Sequence, residues 1–194
     1  MVGDAGAGAW CPRLAADELP VAVPGQRMLV HTATVAVWLS EVHVYTGGVQ
    51  FALEARCRER GAVCDPVADP GGVLLGMVDA DGTVASTLPG RSGLRCLGGG
   101  PGPAGGVGRY LLQPLPAPGP LAVYLAWPRL AVPETRVELE ATAVVEAAAR
   151  VRPLWPRGQG PARTPDGHGP GPRPVGSSVP SGGWFATVAA QLLP

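Results

Sequence analysis

The sequence predicts a mostly β fold: a two-layer antiparallel β-sandwich, immunoglobulin-like in a loose sense, followed by one C-terminal α-helix and a disordered tail. Three observations predict it. In "VQFALEARC", residues 49–57, Val49, Phe51, Leu53, Ala55 and Cys57 fall on one side while Gln50, Ala52, Glu54 and Arg56 fall on the other. Such alternation belongs to a half-buried antiparallel strand, because successive side chains point to opposite faces of the sheet. "LAVYLAW", residues 121–127, repeats the pattern with Leu121, Val123, Leu125 and Trp127 in register. Short apolar runs of this kind recur between Gly-, Pro- and Asp-containing turns, the texture of all-β domains.

Taken in order, residues 1–18 are Gly/Ala-rich without an apolar period and read as a flexible lead-in. From Arg27 the runs "RMLVHT", "TVAVWL" and "EVHVY" have β character, and "TGG" at 46–48 marks the turn into the alternating strand. "RERGAVCDPVADPGG" reads as a surface loop. "VLLGMV" resumes as a strand, and "DADG" at 79–82 offers a hairpin connection into "TVAST", since Asp-Gly tolerates positive φ. Residues 89–108, including "GGGPGPAGGVG", read as a long mobile loop. After "LAVYLAW", "RVELE" places Val137 and Leu139 on one face with Arg136, Glu138 and Glu140 outward. "ATAVVEAAARV" suits a helix over about residues 141–152. It is Ala-rich, pairs Glu146 with Arg150 at i,i+4, and turns Val144, Val145, Ala148 and Val151 toward the sheet. The expected organisation is therefore a segment 1–18, a β-sandwich domain 19–156 and a Pro/Gly-rich disordered tail 157–194, whose apolar end "WFATVAAQLL" is left open as docked or frayed.

Composition excludes several chemistries. With 29 Gly and 23 Pro among 194 residues, the chain supports one domain rather than two. It contains no Lys, so it has no P-loop lysine, no kinase β3 lysine and no Schiff-base nucleophile. It contains no Asn, hence no N-glycosylation acceptor. The formal net charge of zero gives no global field to recruit nucleic acid or an anionic membrane, and nucleic-acid binding is not expected. The N-terminus lacks a basic region and a continuous apolar run, and no stretch reaches the roughly 18 apolar residues of a membrane span. Those features predict a cytoplasmic protein without a membrane span.

The motifs "PGPL", "WP", "PETRVEL" and "AAAR" followed by "LWP", preceded by "VPGQRMLVHT" and "TGGVQFALEARC", carry a resemblance. Over about residues 19–156 the chain resembles a group of uncharacterised actinobacterial proteins. That resemblance implies a domain extent and no particular chemistry; the long Pro/Gly tail departs from it.

Each candidate for chemistry has a plainer counterpart. "GPGPAG" at 100–105 satisfies a literal GxGxxG, but Pro101 and Pro103 have no N–H to offer a pyrophosphate and no helix pattern follows. Asp79 and Asp81 resemble the opening of a calcium loop, whose later oxygen ligands "VASTLPGR" does not supply, and a hairpin turn explains the same residues. Cys11, Cys57, Cys64 and Cys96 match no zinc or CxxC spacing and are expected as thiols, a Cys57–Cys64 disulfide being the alternative. His31 and His43, both in strand-like runs, could meet near a Cys as a nucleophile and base or as a metal site; a structural role is the plainer reading. Trp38, Trp127 and Trp155 could form a platform for sugar or peptide, though Trp127 sits in register with a core face.

No catalytic, cofactor-binding or metal-binding residue is assigned, and no cofactor is expected. The sequence points to a non-catalytic protein-interaction or structural module with a protein partner of open identity and an open oligomeric state. The alternatives are an enzyme or metal-binding protein using His31, His43 or a Cys, and an exported envelope-associated domain. Arg56, Glu138 and residues 89–108 are the surface expected to meet a partner.

Overall fold

The apolar alternation that marks the strands is realised in a computed structural model describing residues 17–59, 64–67, 72–90, 93–102, 105–156 and 179–191. The protein is mostly β, with antiparallel sheets and two helices. Its strands are β1 (Glu18–Leu19), β2 (Val21–Val23), β3 (Arg27–His31), β4 (Val35–Tyr45), β5 (Gly48–Cys57), β6 (Leu74–Val78), β7 (Val84–Ser86), β8 (Leu94–Gly102), β9 (Gly105–Leu112), β10 (Pro120–Trp127), β11 (Val132–Glu140) and β12 (Arg152–Pro153). The helices are α1 (Thr142–Ala148) and α2 (Gly183–Ala190).

Two sheets carry the architecture. The six-stranded sheet runs β2-β4-β5-β9-β8, with β3 on the same edge of β4 as β2. The four-stranded sheet runs β11-β10-β6-β7. The alternating strand behaves as its sequence requires: Val49, Phe51, Leu53 and Ala55 are buried, and Gln50, Glu54 and Arg56 are partly exposed. One apolar cluster draws on both sheets, with Val37, Leu53 and Tyr110 from the first and Leu75, Val123 and Trp127 from the second. Trp127 is fully buried, which answers the register argument in favour of core.

Several elements differ from expectation. "TVAVWL" and "EVHVY" form one eleven-residue strand, because a bulge with Glu41 at φ 49° absorbs the break between them. Residues 89–108, expected as a mobile loop, instead hold most of the β8–β9 hairpin. Gly106 serves close packing, since a Cβ on it would lie 2.8 Å from the backbone of Cys64 and Asp65, which run directly over β9. The expected helix over 141–152 is shorter, Thr142–Ala148, leaving Arg150 beyond it. Pro153 pushes Arg152 toward extended backbone, and Arg152–Pro153 pairs with β1 as a strand. β1 in turn brings Glu18, placed in the flexible lead-in, into the fold, where its carboxylate accepts a hydrogen bond from Thr46 N at 2.9 Å.

The apolar C-terminal segment is docked. α2 lies on the outer face of the four-stranded sheet, burying Phe185 and Val188 against Leu74, Leu88 and Ala126. Trp184 stacks on Tyr124 with ring centroids 4.5 Å apart. The rest of the expected tail, residues 157–178 and 192–194, lies outside the described residues, as do residues 1–16 with Cys11.

Candidate functional site

The residues singled out for chemistry are dispersed over the two sheets. His31 pairs with Ala36 in the ladder, and His43 lies seven positions further along β4. At about 3.3 Å per residue their backbone positions lie roughly 20 Å apart along the sheet, so they share no site. Among the described residues no group of three or more His, Cys, Asp or Glu is placed to hold a metal ion. The literal GxGxxG falls across the β8–β9 hairpin rather than between a strand and a helix, so it lacks the helix N-terminus that would meet a pyrophosphate. Asp79 and Asp81 make a hairpin turn: Asp79 Oδ1 accepts from Asp81 N at 3.1 Å and from Thr83 N at 2.8 Å. The tryptophans form no platform, since Trp127 is core, Trp155 is half exposed elsewhere, and the Arg56 guanidinium covers Trp38 at 5.2 Å.

Among the described residues, Cys57, Cys64 and Cys96 are thiols in or beside the core. Cys96 lies near the buried Tyr110 and Asp65. Burial, with a smaller contribution from Asp65, pushes the Cys96 thiol up; burial likewise holds the Tyr110 phenol well above its ordinary range. A thiol raised by burial is a poor nucleophile, because the reactive form is the thiolate. Tyr110 stacks on Phe51 at 5.7 Å and Asp65 Oδ1 accepts from Val67 N at 2.9 Å, so this cluster packs the β8–β9 hairpin against the loop above it.

Among the strands that end the described sheets, β8 presents a long outer edge. β9 occupies one side of β8, and β8 ends the sheet order on the other. This nine-residue strand carries Leu97, an exposed large apolar side chain at 41%, beside the small residues Gly98, Gly99 and Gly100. A bulge between Cys96 and Gly98 and the N–H-free Pro101 interrupt it, which confines any added strand to a short stretch of the edge. Sequence reasoning placed this segment in the partner-facing surface but as a loop. The signal available was "LRCL", an apolar alternation cut short by the glycine run. Of the other residues expected to face a partner, Glu138 is exposed and bonded to Arg136 at 2.9 Å, while Arg56 is occupied by Trp38 and by Glu54 at 3.4 Å.

No family model matches the chain, and neither a curated protein nor a solved structure matches it. No described helix is long and apolar enough to cross a membrane.

Proposed function

We propose that the chain is a non-catalytic, immunoglobulin-like β-sandwich that works as a protein-interaction module. Strand order supports the fold reading. β4-β5-β9-β8 and β7-β6-β10-β11 follow the A-B-E-D and C′-C-F-G arrangement of that architecture, each order joining two hairpins through their inner strands. β2 and β3 extend the first sheet beyond its A position. The resemblance over residues 19–156 belongs to the same reading and adds an extent without a chemistry.

The observation that carries the functional reading is the open edge of β8. An extended partner segment would add beyond it as a further strand, with main-chain hydrogen bonds giving affinity and Leu97 giving an apolar contact. A catalytic or metal site joining His31 to His43 loses its support with their separation. A cytoplasmic setting is part of the proposal, consistent with the thiols Cys57, Cys64 and Cys96.

The test is affinity capture from the native host using the full chain, Leu97→Lys, Gly100→Lys, and His31→Ala/His43→Ala. Leu97 is exposed and a Cβ on Gly100 meets nothing within 4 Å, so both edge substitutions are accommodated. One protein should be retained by the full chain and the histidine variant and lost, at least tenfold, from the two edge variants. Retention that ignores the edge variants, or a metal-dependent turnover abolished by the histidine variant, overturns the proposal.

A further inference from the structure

At the end of the molecule where β11 runs into α1, the two sheets part around a cavity of about 360 Å³. Its interior is apolar and comes from both sheets: Val49, Phe51 and Leu112 from the six-stranded one, Met77 and Leu121 from the other. Val144 of α1 closes one side, and the β2–β3 connection passes over the mouth. Protein interiors are packed like organic crystals, with few voids larger than a water molecule. A gap of this size in the shared core forfeits contacts that larger side chains would supply. Enclosed apolar cavities take up apolar guests, one of about 150 Å³ holding benzene, and the space here adds a mouth through which a guest can enter. The space here suits two fused rings with a substituent, or a chain of about ten carbons, on the same scale.

The mouth decides the head group. Arg27, Glu138 and Glu140 stand there with Gln26. Glu138 is paired with Arg136 at 2.9 Å, and Glu140 accepts from Thr142 N at 3.0 Å and Thr142 Oγ1 at 2.6 Å. Each carboxylate thus already has a donor, and Arg27 together with Arg136, which pairs with Glu138 from outside the lining, offsets the two carboxylates, so the rim carries no net formal charge. A rim without net charge gives an ionic head no field to offset the cost of leaving water for an apolar site. An uncharged head that donates or accepts a hydrogen bond carries a smaller cost.

We propose that this cavity is a binding site for a compact, uncharged, largely apolar small molecule, entered between Arg27 and Glu138. It is independent of the β8 edge, which lies at the far edge of the six-stranded sheet from β2 and β3. The probe is N-phenyl-1-naphthylamine, a neutral fluorophore, titrated into the full chain. Saturable emission enhancement is expected, weakened at least tenfold in Val144→Trp, whose indole fills the mouth, and unchanged in Val145→Trp. Ala143→Trp, from the exposed side of α1 that also lines the cavity, blocks the same mouth should Val144→Trp fail to fold as judged by circular dichroism. 1-Octanol should displace the probe at least tenfold better than octanoate or octylammonium. A wild-type chain that binds no probe saturably, folded mouth variants that bind as wild type does, or an ion that competes as well as the alcohol each overturns the proposal.

Discussion

Asp79 shows how one side chain ties together distant parts of the chain. Besides closing its own hairpin it reaches Ala117, whose N–H donates to Asp79 Oδ2 at 3.1 Å. Burial alone would raise the Asp79 carboxyl, but the hydrogen bonds from Ala117, Thr83 and Asp81 together outweigh it and hold the group below the usual carboxylate range. A folded-state value lowered in this way stabilises the protein above the unfolded-state pKa, and the stabilisation is lost as pH falls through the folded value. Asp79→Asn should therefore cost about 1–2 kcal/mol near neutral pH, the scale of hydrogen bonds to a charged acceptor. The difference should shrink as pH falls through the acid range. Urea midpoints at several pH values measure it; a constant difference down to the most acid folded condition would contradict the charge-based account.

At the scale of elements, α2 is held by two features of the sheet beneath it. Glu134 on β11 accepts from Trp184 N at 2.7 Å and Phe185 N at 2.9 Å, acting as a cap supplied by another element for a helix whose own N-cap residue, Gly182, has no side chain to offer. Gly76 on β6 leaves the space that Trp184 fills, since any Cβ there would run into the indole ring. Glu134→Ala should release α2 at a cost of about 1–2 kcal/mol, the value of a lost cap. Hydrogen exchange should then quicken in residues 184–190 while β5 and β10 stay protected. Gly76→Val should do the same through the ring, with a shift in tryptophan emission as Trp184 leaves Tyr124. If either change instead lowers protection evenly through both sheets, α2 is part of the main cooperative unit rather than an appended layer.

For the whole molecule, the two apolar clusters separate what the sheets need from what the helix adds. The main cluster spans both sheets and includes α1 through Ala147; Phe185 and Val188 belong to the second, outer cluster. A chain ending at Pro156 should keep its β circular dichroism and lose stability, because burying two such side chains is worth about 3–5 kcal/mol. It should also bind an apolar dye through the uncovered Leu74, Leu88 and Ala126. A truncated chain that melts with the full one would show that α2 contributes nothing to stability.

By itself the sequence determined what depends on local period and turn chemistry: the buried face of β5 from Val49 to Ala55, the buried face of β10 from Leu121 to Trp127, and the Asp79–Gly82 hairpin. Each is written in neighbouring residues, because side-chain alternation and turn preference act over a few positions. The tertiary structure alone decided the rest. Whether "LGGGPG" is loop or strand depends on β9 beside it and on Val67 lying against Gly99. Whether "WFATVAAQLL" frays or docks depends on Gly76 and Glu134, more than forty positions away. Val49 and Met77 look like ordinary core residues in their strands, and they line a cavity because two sheets meet imperfectly at one end. His31 and His43 share β-like surroundings in the sequence, yet the ladder sets His31, on β3, beside the start of β4 and His43 near the end of β4. Contacts between residues far apart in the chain leave no period to read, because their partners are chosen by the packing of the sheets.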